Sequence, residues 1–173
     1  MACDSNACDF KAVMLERRNI GPNDIEIDMK FSGVCHSDLH VAAGHMAGVA
    51  GEVMYPCVPG HELAGVAVRV GAAVTKVKVG DHVGVGCMVD SCGTCKLCKS
   101  GEEQKCMKQV GTYQGKDFHG RAAVWPPGKD ARTLVGYTKV HVVHENFAIV
   151  IPKSYRLEAA GPVMCAGITM FGE

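Results

Sequence analysis

The chain has 173 residues, enough for one ordinary domain with a sizeable core. Its 18 basic and 18 acidic side chains cancel, so no cationic excess exists to neutralise phosphates and no nucleic-acid partner is expected. No run approaches the ~18 apolar residues of a membrane-spanning helix, and Met1 to Phe10 has neither a basic residue nor a signal-length apolar core, so a cytoplasmic protein with no membrane partner is expected.

Residues 1–9 read as a flexible N-terminus carrying Cys3 and Cys8 as free thiols, and Phe10 to Glu16 as a first strand. Gly21-Pro22 punctuates a turn. Ile25, Ile27, Met29 and Phe31 then alternate with Glu26, Asp28, Lys30 and Ser32, which predicts a half-buried strand. At its end Ser37 or Asp38 caps a short helix, and the corner projects Cys35, Ser37 and His40 toward a common point. Gly44 to Val53 reads as a loose loop, and Pro56 and Pro59 bracket an extended approach to Gly60-His61-Glu62. Strands follow at Ala64–Val70 and His82–Cys87, with Cys57 and Cys87 as small buried residues.

Cys92, Cys95, Cys98 and Cys106 come next, separated by two, two and seven residues. Four soft ligands on a chain that turns at Gly93 and Gly101 suit a closed tetrahedral zinc site. The alternatives are an iron–sulfur cluster, whose bacterial spacing would bring the fourth Cys after three residues and follow it with Pro, and ordinary or redox thiols. Gly111 to Thr133 reads as a long irregular loop, Leu134–Val143 and Phe147–Ile151 as strands, and the residues from Tyr155 as helix-compatible but interrupted by Gly161-Pro162. Short strands with turn signals indicate a mainly β fold, a barrel or sandwich.

Cys35, His61 and Cys165 lie outside the four-Cys lobe and have the composition of a catalytic zinc set, which has three protein ligands and an open position. Spacing alone leaves open whether they meet.

The run GHELAGVAVRVG at 60–71 resembles the signature of zinc-containing medium-chain alcohol dehydrogenases. GVCHSDLH at 33–40, YPCVPGHE at 55–62, GDHVGVG at 80–86 and the four-Cys lobe occur in that family's order. GTYQGKDFH at 111–119 and MCAGITMF at 164–171 resemble the cinnamyl-alcohol-dehydrogenase branch in particular. The resemblance runs from about residue 10 to the last residue, and it implies a chaperonin-10-like β-barrel at 10–154 with a zinc lobe at 87–110. Residues 155–173 would start the helix leading to a cofactor domain. It further implies that Cys35, His61 and Cys165 hold a catalytic zinc, that Glu62 sits beside the metal and exchanges onto it, and that Asp38 accepts from the His61 ring. Ser37 and His40 would relay a proton to solvent, and His36 would touch cofactor phosphate. Two zinc ions per chain, NADP or NAD, a small alcohol or aldehyde, and a homodimer in the complete enzyme follow from the same resemblance.

Two departures from the family pattern bear on substrate range: extra Gly and Ala between Cys35 and His61, which alter the loop near the substrate entrance, and a longer, poorly matched stretch from Arg121 to Leu134 with Trp125-Pro126-Pro127. No G-x-G-x-x-G is present, so the Rossmann unit is expected to be absent and the sequence to represent the N-terminal part of a longer protein, inactive alone. The rival expectation is a zinc-stabilised structural or interaction module without activity of its own.

Overall fold

The computed structural model describes residues 1–46, 53–116 and 132–171. Residues 47–52 of the Gly/Ala-rich loop, and 117–131 with most of the unmatched stretch, lie outside the described residues, as do 172–173. Strands β1 (Ala2–Cys3) and β2 (Phe10–Lys11) form a small hairpin. The main sheet is antiparallel and built from β3 (Asp24–Ser32), β4 (Leu63–Val70), β5 (His82–Val85), β10 (Val140–His144) and β11 (Ile149–Ile151). Its order is β10-β3-β4-β5-β11. Two ribbons complete the β structure: β6 (Met88–Asp90) with β7 (Val110–Gly111), and β8 (Tyr113–Lys116) with β9 (Arg132–Leu134). The helices are short: α1 (His36–Ala42), α2 (Lys96–Lys99), α3 (Leu157–Pro162) and α4 (Ile168–Phe171). The mainly β architecture expected from the sequence is the one that forms.

The sheet cannot be flat. β10 and β11 are its two edges, yet only Glu145–Ala148 connects them. Five Cα steps reach at most about 17 Å, whereas five strands side by side span about 19 Å. The right-handed twist of the strands therefore curls the sheet until its edges approach. A 3₁₀ turn at Glu145–Phe147 makes the crossing. Glu145 anchors it: its carboxylate accepts from the Thr75 and Lys76 amides at 2.9 and 3.0 Å, and its own N–H donates to Asn23. Those bonds hold the Glu145 carboxyl below its ordinary range, led by the Thr75 amide.

The concave side of the curl is the core. Ile25, Ile27, Leu63, Ala67, Val77, Val83, Val85, Val135 and Val143 pack there, with Phe147 against them. Burying one such side chain stabilises the fold by about 1.5–3 kcal/mol. The alternation of β3 holds for Ile25 and Ile27, both fully buried, but not for Phe31, which is 43% exposed. A bulge between Met29 and Phe31 shifts the register against β4 and turns the strand's end outward.

Other expectations are corrected. The first strand is Phe10–Lys11, not Phe10–Glu16. The N-terminus is not a free end: Ala2 and Cys3 are fully buried, and Cys3 and Cys57 exchange backbone hydrogen bonds at 2.9 and 2.8 Å. Cys57 is buried as expected, but Cys87, which follows the end of β5 at Val85 and lies beside Cys165, is exposed. The described ends of the Gly111–Thr133 stretch are not irregular but pair as β8 and β9. Leu134–Val143 is not one strand but the end of β9, a turn and β10. Gly161-Pro162 does not break the final helix. Pro162 has no N–H for the carbonyl one turn back, and the helix continues through a π turn at Val163–Gly167 into α4.

His141 lies on β10 opposite Ile27, so its ring shares the core face. It is 3% exposed, and neither ring nitrogen has a hydrogen-bond partner among the described residues. Burial first, then Arg17 and Arg18, push its pKa well below 6.5. Below pH 6.5 the unfolded chain therefore takes up a proton that the folded chain refuses. Stability falls with decreasing pH in that window, by about 1.4 kcal/mol per pH unit for one such group. His141→Leu is expected to lose less stability between pH 6.5 and 5 than the parent. Urea midpoints for both proteins across that range check this; parallel curves would refute it.

Candidate metal centres and active site

The four-Cys lobe is built locally. Gly93 and Gly101 take positive φ values of 67° and 78°, the left-handed region that reverses the chain with no Cβ to clash. Cys95 caps α2, its sulfur accepting from the Cys98 amide at 3.5 Å. Cys92 Sγ accepts from the Cys95 amide at 3.4 Å, and Cys106 Sγ from the Lys108 amide at 3.3 Å. Backbone donors at Thr94 and Cys95 hold the Cys92 thiol down to about 5, a thiolate at neutral pH. The four sulfurs lie within 4.8 Å of one another. Sulfurs bound at about 2.3 Å to one tetrahedral ion would stand about 3.8 Å apart. The Cys92–Cys98 and Cys95–Cys98 separations are 3.8 and 3.5 Å. The donor set fits zinc.

The second cluster is assembled from distant stretches. Cys35 stands at the N-cap of α1, His61 and Glu62 just before β4, and Cys165 inside the π turn. One donor atom from each lies within 4.8 Å of the other three. Glu62 and His61 are buried at 3% and 2% exposure, whereas Cys35 and Cys165 are half-buried. Close backbone packing makes this corner. Gly33 donates to the Glu62 carbonyl at 2.7 Å, and a Cβ on Gly33 would fall 2.0 Å from the Glu62 carboxylate. Gly60 takes φ +108° against Gly136, where a Cβ would meet backbone at 2.9 Å.

Asp38 fixes the cluster. It was expected to cap α1 or to accept from His61. The N-cap is in fact Cys35, and Asp38 occupies the third helical position. Its carboxylate accepts from the Cys35 amide at 3.0 Å, the Gly60 amide at 3.0 Å and the Tyr137 hydroxyl at 2.7 Å. His61 Nδ1 lies 3.0 Å from Oδ1. With Asp38 ionised, Nδ1 carries the proton and Nε2 keeps the lone pair a metal needs. Burial opposes the charge on Asp38, but the bonds from His61 and Tyr137 outweigh it and leave its pKa lowered. Burial lowers the His61 pKa in turn, and the Asp38 bond overrides it and raises it.

The two thiols differ. Ser37 Oγ, 3.4 Å from Cys35 Sγ, leads in lowering the Cys35 pKa. Burial, then the Cys87 and Cys35 sulfurs, push the Cys165 thiol up to about 12. A divalent cation bound there would offset that repulsion and favour both sulfurs as thiolates. Two thiolates, one imidazole and one carboxylate suit zinc.

The His40 ring stacks on His36 with centroids 4.6 Å apart, and its Nδ1 lies 3.3 Å from Nδ1 of His45. His36 and His40 are both exposed on α1. Three neighbours escaped the sequence reading: Tyr137 on Asp38, Tyr113 with its ring 5.1 Å from His61, and Cys87 beside Cys165. Tyr113 lies within the GTYQG run that carried the resemblance. Tyr137 had no local signal, because its contact crosses most of the chain.

Two outcomes are expected of metal analysis. Cys95→Ser loses one metal and lowers the melting temperature clearly, because a structural site contributes directly to folding. Cys35→Ser loses the other with a smaller effect; equal melting losses would contradict this division. Asp38→Asn keeps the hydrogen-bonding shape but not the charge, and is expected to weaken metal at the Cys35 site by about 10–100-fold. Competition with a chromophoric chelator measures that loss, and an unchanged affinity would show that Asp38 does not orient the ligand.

Residues 21–153 match the alcohol dehydrogenase GroES-like domain. The chain is 45% identical over 163 residues to the probable formaldehyde dehydrogenase AdhA of Bacillus subtilis, covering 94% of this chain and 43% of that protein. Among solved structures, a cinnamyl alcohol dehydrogenase of Sorghum bicolor superposes with a TM-score of 0.88 at 39% identity, covering 99% of this chain and 45% of that one. The Helicobacter pylori cinnamyl alcohol dehydrogenase complexed with NADP(H) gives 0.86 at 41%, covering 99% and 46%. The chain thus spans less than half the length of the relatives it matches. With its mainly β fold and two zinc-compatible clusters, it belongs to the zinc-containing alcohol dehydrogenases of the cinnamyl-alcohol-dehydrogenase-like branch, of which it carries the GroES-like domain.

Proposed function

We propose that this chain forms the substrate-activating part of an NADP-dependent alcohol dehydrogenase that interconverts aldehydes and primary alcohols, with one catalytic and one structural zinc. The observation that carries the reading is the cluster of Cys35, His61, Glu62 and Cys165, oriented by Asp38. Zinc bound there would polarise a carbonyl or acidify an alcohol, and a nicotinamide cofactor would exchange the hydride.

The chain's own residues do the rest. Cys35, His61 and Cys165 hold the metal. Glu62, buried just before β4, would be the fourth donor and could exchange onto or off the metal. Asp38 keeps the imidazole in the tautomer that leaves Nε2 free. Ser37 Oγ, beside Cys35 Sγ, passes the hydroxyl proton outward, and exposed His40 exchanges it with solvent. His36 meets a cofactor phosphate. The preference for NADP over NAD rests on the NADP(H) complex of the Helicobacter pylori relative. Ten free cysteines suit a reducing, cytoplasmic compartment. A homodimer of the complete enzyme belongs to the same reading.

Cobalt substitution tests the proposal without relying on turnover. Cobalt at the Cys35 site is expected to show sulfur-to-metal charge-transfer bands that shift when a small primary amide, an aldehyde mimic, is added. Cys35→Ser should abolish that response and leave the spectrum of the four-Cys lobe. A bound cobalt spectrum indifferent to the amide would favour a zinc-stabilised module without catalysis.

A further inference from the structure

We propose that Cys3 and Cys57 form a reversible disulfide when the protein meets an oxidant of the peroxide class, with Cys8 as the thiol that the oxidant reaches first. The bridge ties β1 to the segment that leads into the Gly60–Glu62 corner.

The pairing of the two residues is the first argument. Three of the ten cysteines, Cys3, Cys8 and Cys57, lie outside both metal clusters and away from Cys165. Cys3 and Cys57 face each other across an antiparallel bridge. The Cys3 N–H donates to the Cys57 carbonyl at 2.9 Å, and the Cys57 N–H returns the bond at 2.8 Å. Residues paired in this way have Cα atoms about 5.5 Å apart and side chains on the same face. A disulfide spans about 4.4–6.8 Å between Cα atoms, most often about 5.5–6 Å. The backbone therefore stands at bridging distance without having to move. The side chains already meet: the two thiols are in hydrogen-bond contact, and Cys3 Sγ lies 3.7 Å from the Cys57 carbonyl oxygen.

The surroundings are the second argument. Both residues are 0% exposed, and they pack with Val41 and Ala42 of α1 and with Phe10 and Tyr55. That burial is complete within the described residues. Burial leads in raising both thiols, Cys57 to about 12, so each is protonated at neutral pH and neither attacks an oxidant readily. Cys8 packs on the same cluster but is only half-buried. It stands at φ 58° in the turn from β1 to β2, its N–H donating to the Ser5 carbonyl at 3.3 Å. Solvent thus reaches the cluster through Cys8.

The chemistry balances with one peroxide. The Cys8 sulfur attacks it, a sulfur–oxygen bond forms as the oxygen–oxygen bond breaks, and one water leaves. The Cys3 sulfur then attacks the Cys8 sulfenic acid, and the hydroxyl departs as a second water with the Cys3 proton. Cys57 displaces Cys8 from Cys3, and its proton passes to the released Cys8 thiolate. Two thiols have lost two hydrogens, and one peroxide has become two waters. In a reducing compartment such a bridge is transient, because small thiols reopen it.

Zinc-loaded protein is treated with a slight molar excess of hydrogen peroxide, quenched with a thiol-alkylating reagent and digested without reduction. Mass spectrometry is expected to find a peptide cross-linked through Cys3 and Cys57, with zinc retained at both metal clusters. Cys8→Ser is expected to slow the cross-link by about tenfold or more, because thiolates rather than thiols attack peroxide, and to give the same final product. Oxidation should raise the melting temperature, since the bridge closes a loop between positions 54 apart in the unfolded chain, and dithiothreitol should reverse the rise. Cys57→Ala should lose both the cross-link and the rise, and its zinc content checks that it remains folded. Cys3 and Cys57 recovered unlinked, a final cross-link through Cys8 or a metal-cluster cysteine, or zinc release before the cross-link would each overturn the bridge. An unchanged rate in Cys8→Ser would overturn the entry through Cys8.

Discussion

One carboxylate organises the chemistry of this domain. Asp38 is 2% exposed and receives the amides of Cys35 and Gly60, the hydroxyl of Tyr137 and the ring of His61. Those donors belong to the start of α1, the corner before β4 and the turn before β10. A buried charge without partners would be several kcal/mol unfavourable. Here the partners come from three parts of the chain, so the charge is stable only when all three are in place. The same bonds that stabilise Asp38 thereby fix where Cys35 and His61 stand.

The barrel supplies the frame for that arrangement. Its curl is imposed by the short crossing at Glu145–Ala148 and secured by the Glu145 carboxylate on the Thr75 and Lys76 amides. The site gathers at the end of the sheet where β3 hands over to α1 and the Gly60–Glu62 corner enters β4. Glycines at 33, 60 and 136 allow backbones to approach there more closely than any side chain would permit. The π turn then brings Cys165 to the cluster, since the widened helical turn follows from the N–H that Pro162 lacks. Cysteine, histidine and glutamate thus meet because three irregular features, a strand end, a tight corner and a widened helix, coincide.

The two cysteine-containing clusters differ in how they depend on the fold. The lobe at Cys92–Cys106 is closed by its own turns, and neighbouring amides point at its sulfurs. The cluster at Cys35 instead draws its members from distant stretches, with only Ser37 and Asp38 as local partners of Cys35. Its thiols are perturbed in opposite directions, Cys35 down beside Ser37 and Cys165 up beside Cys87. Both sulfurs are only half-buried, unlike His61 and Glu62 beside them.

The sequence by itself determined what depends on neighbours along the chain. Period-two hydrophobicity marked β3, glycines and four thiols at short spacings marked the metal lobe, and the motif order identified the family and the mainly β fold. Only the tertiary structure decided what depends on contacts across the chain. It buried Cys3 beside Cys57, exposed Cys87, set Tyr137 on Asp38 and brought His40 against His45. Each of those outcomes pairs residues that share no local periodicity. Burial and hydrogen-bond partnership are properties of the curled sheet, and the curl depends on strand register, bulges and a four-residue crossing whose effect appears only in three dimensions.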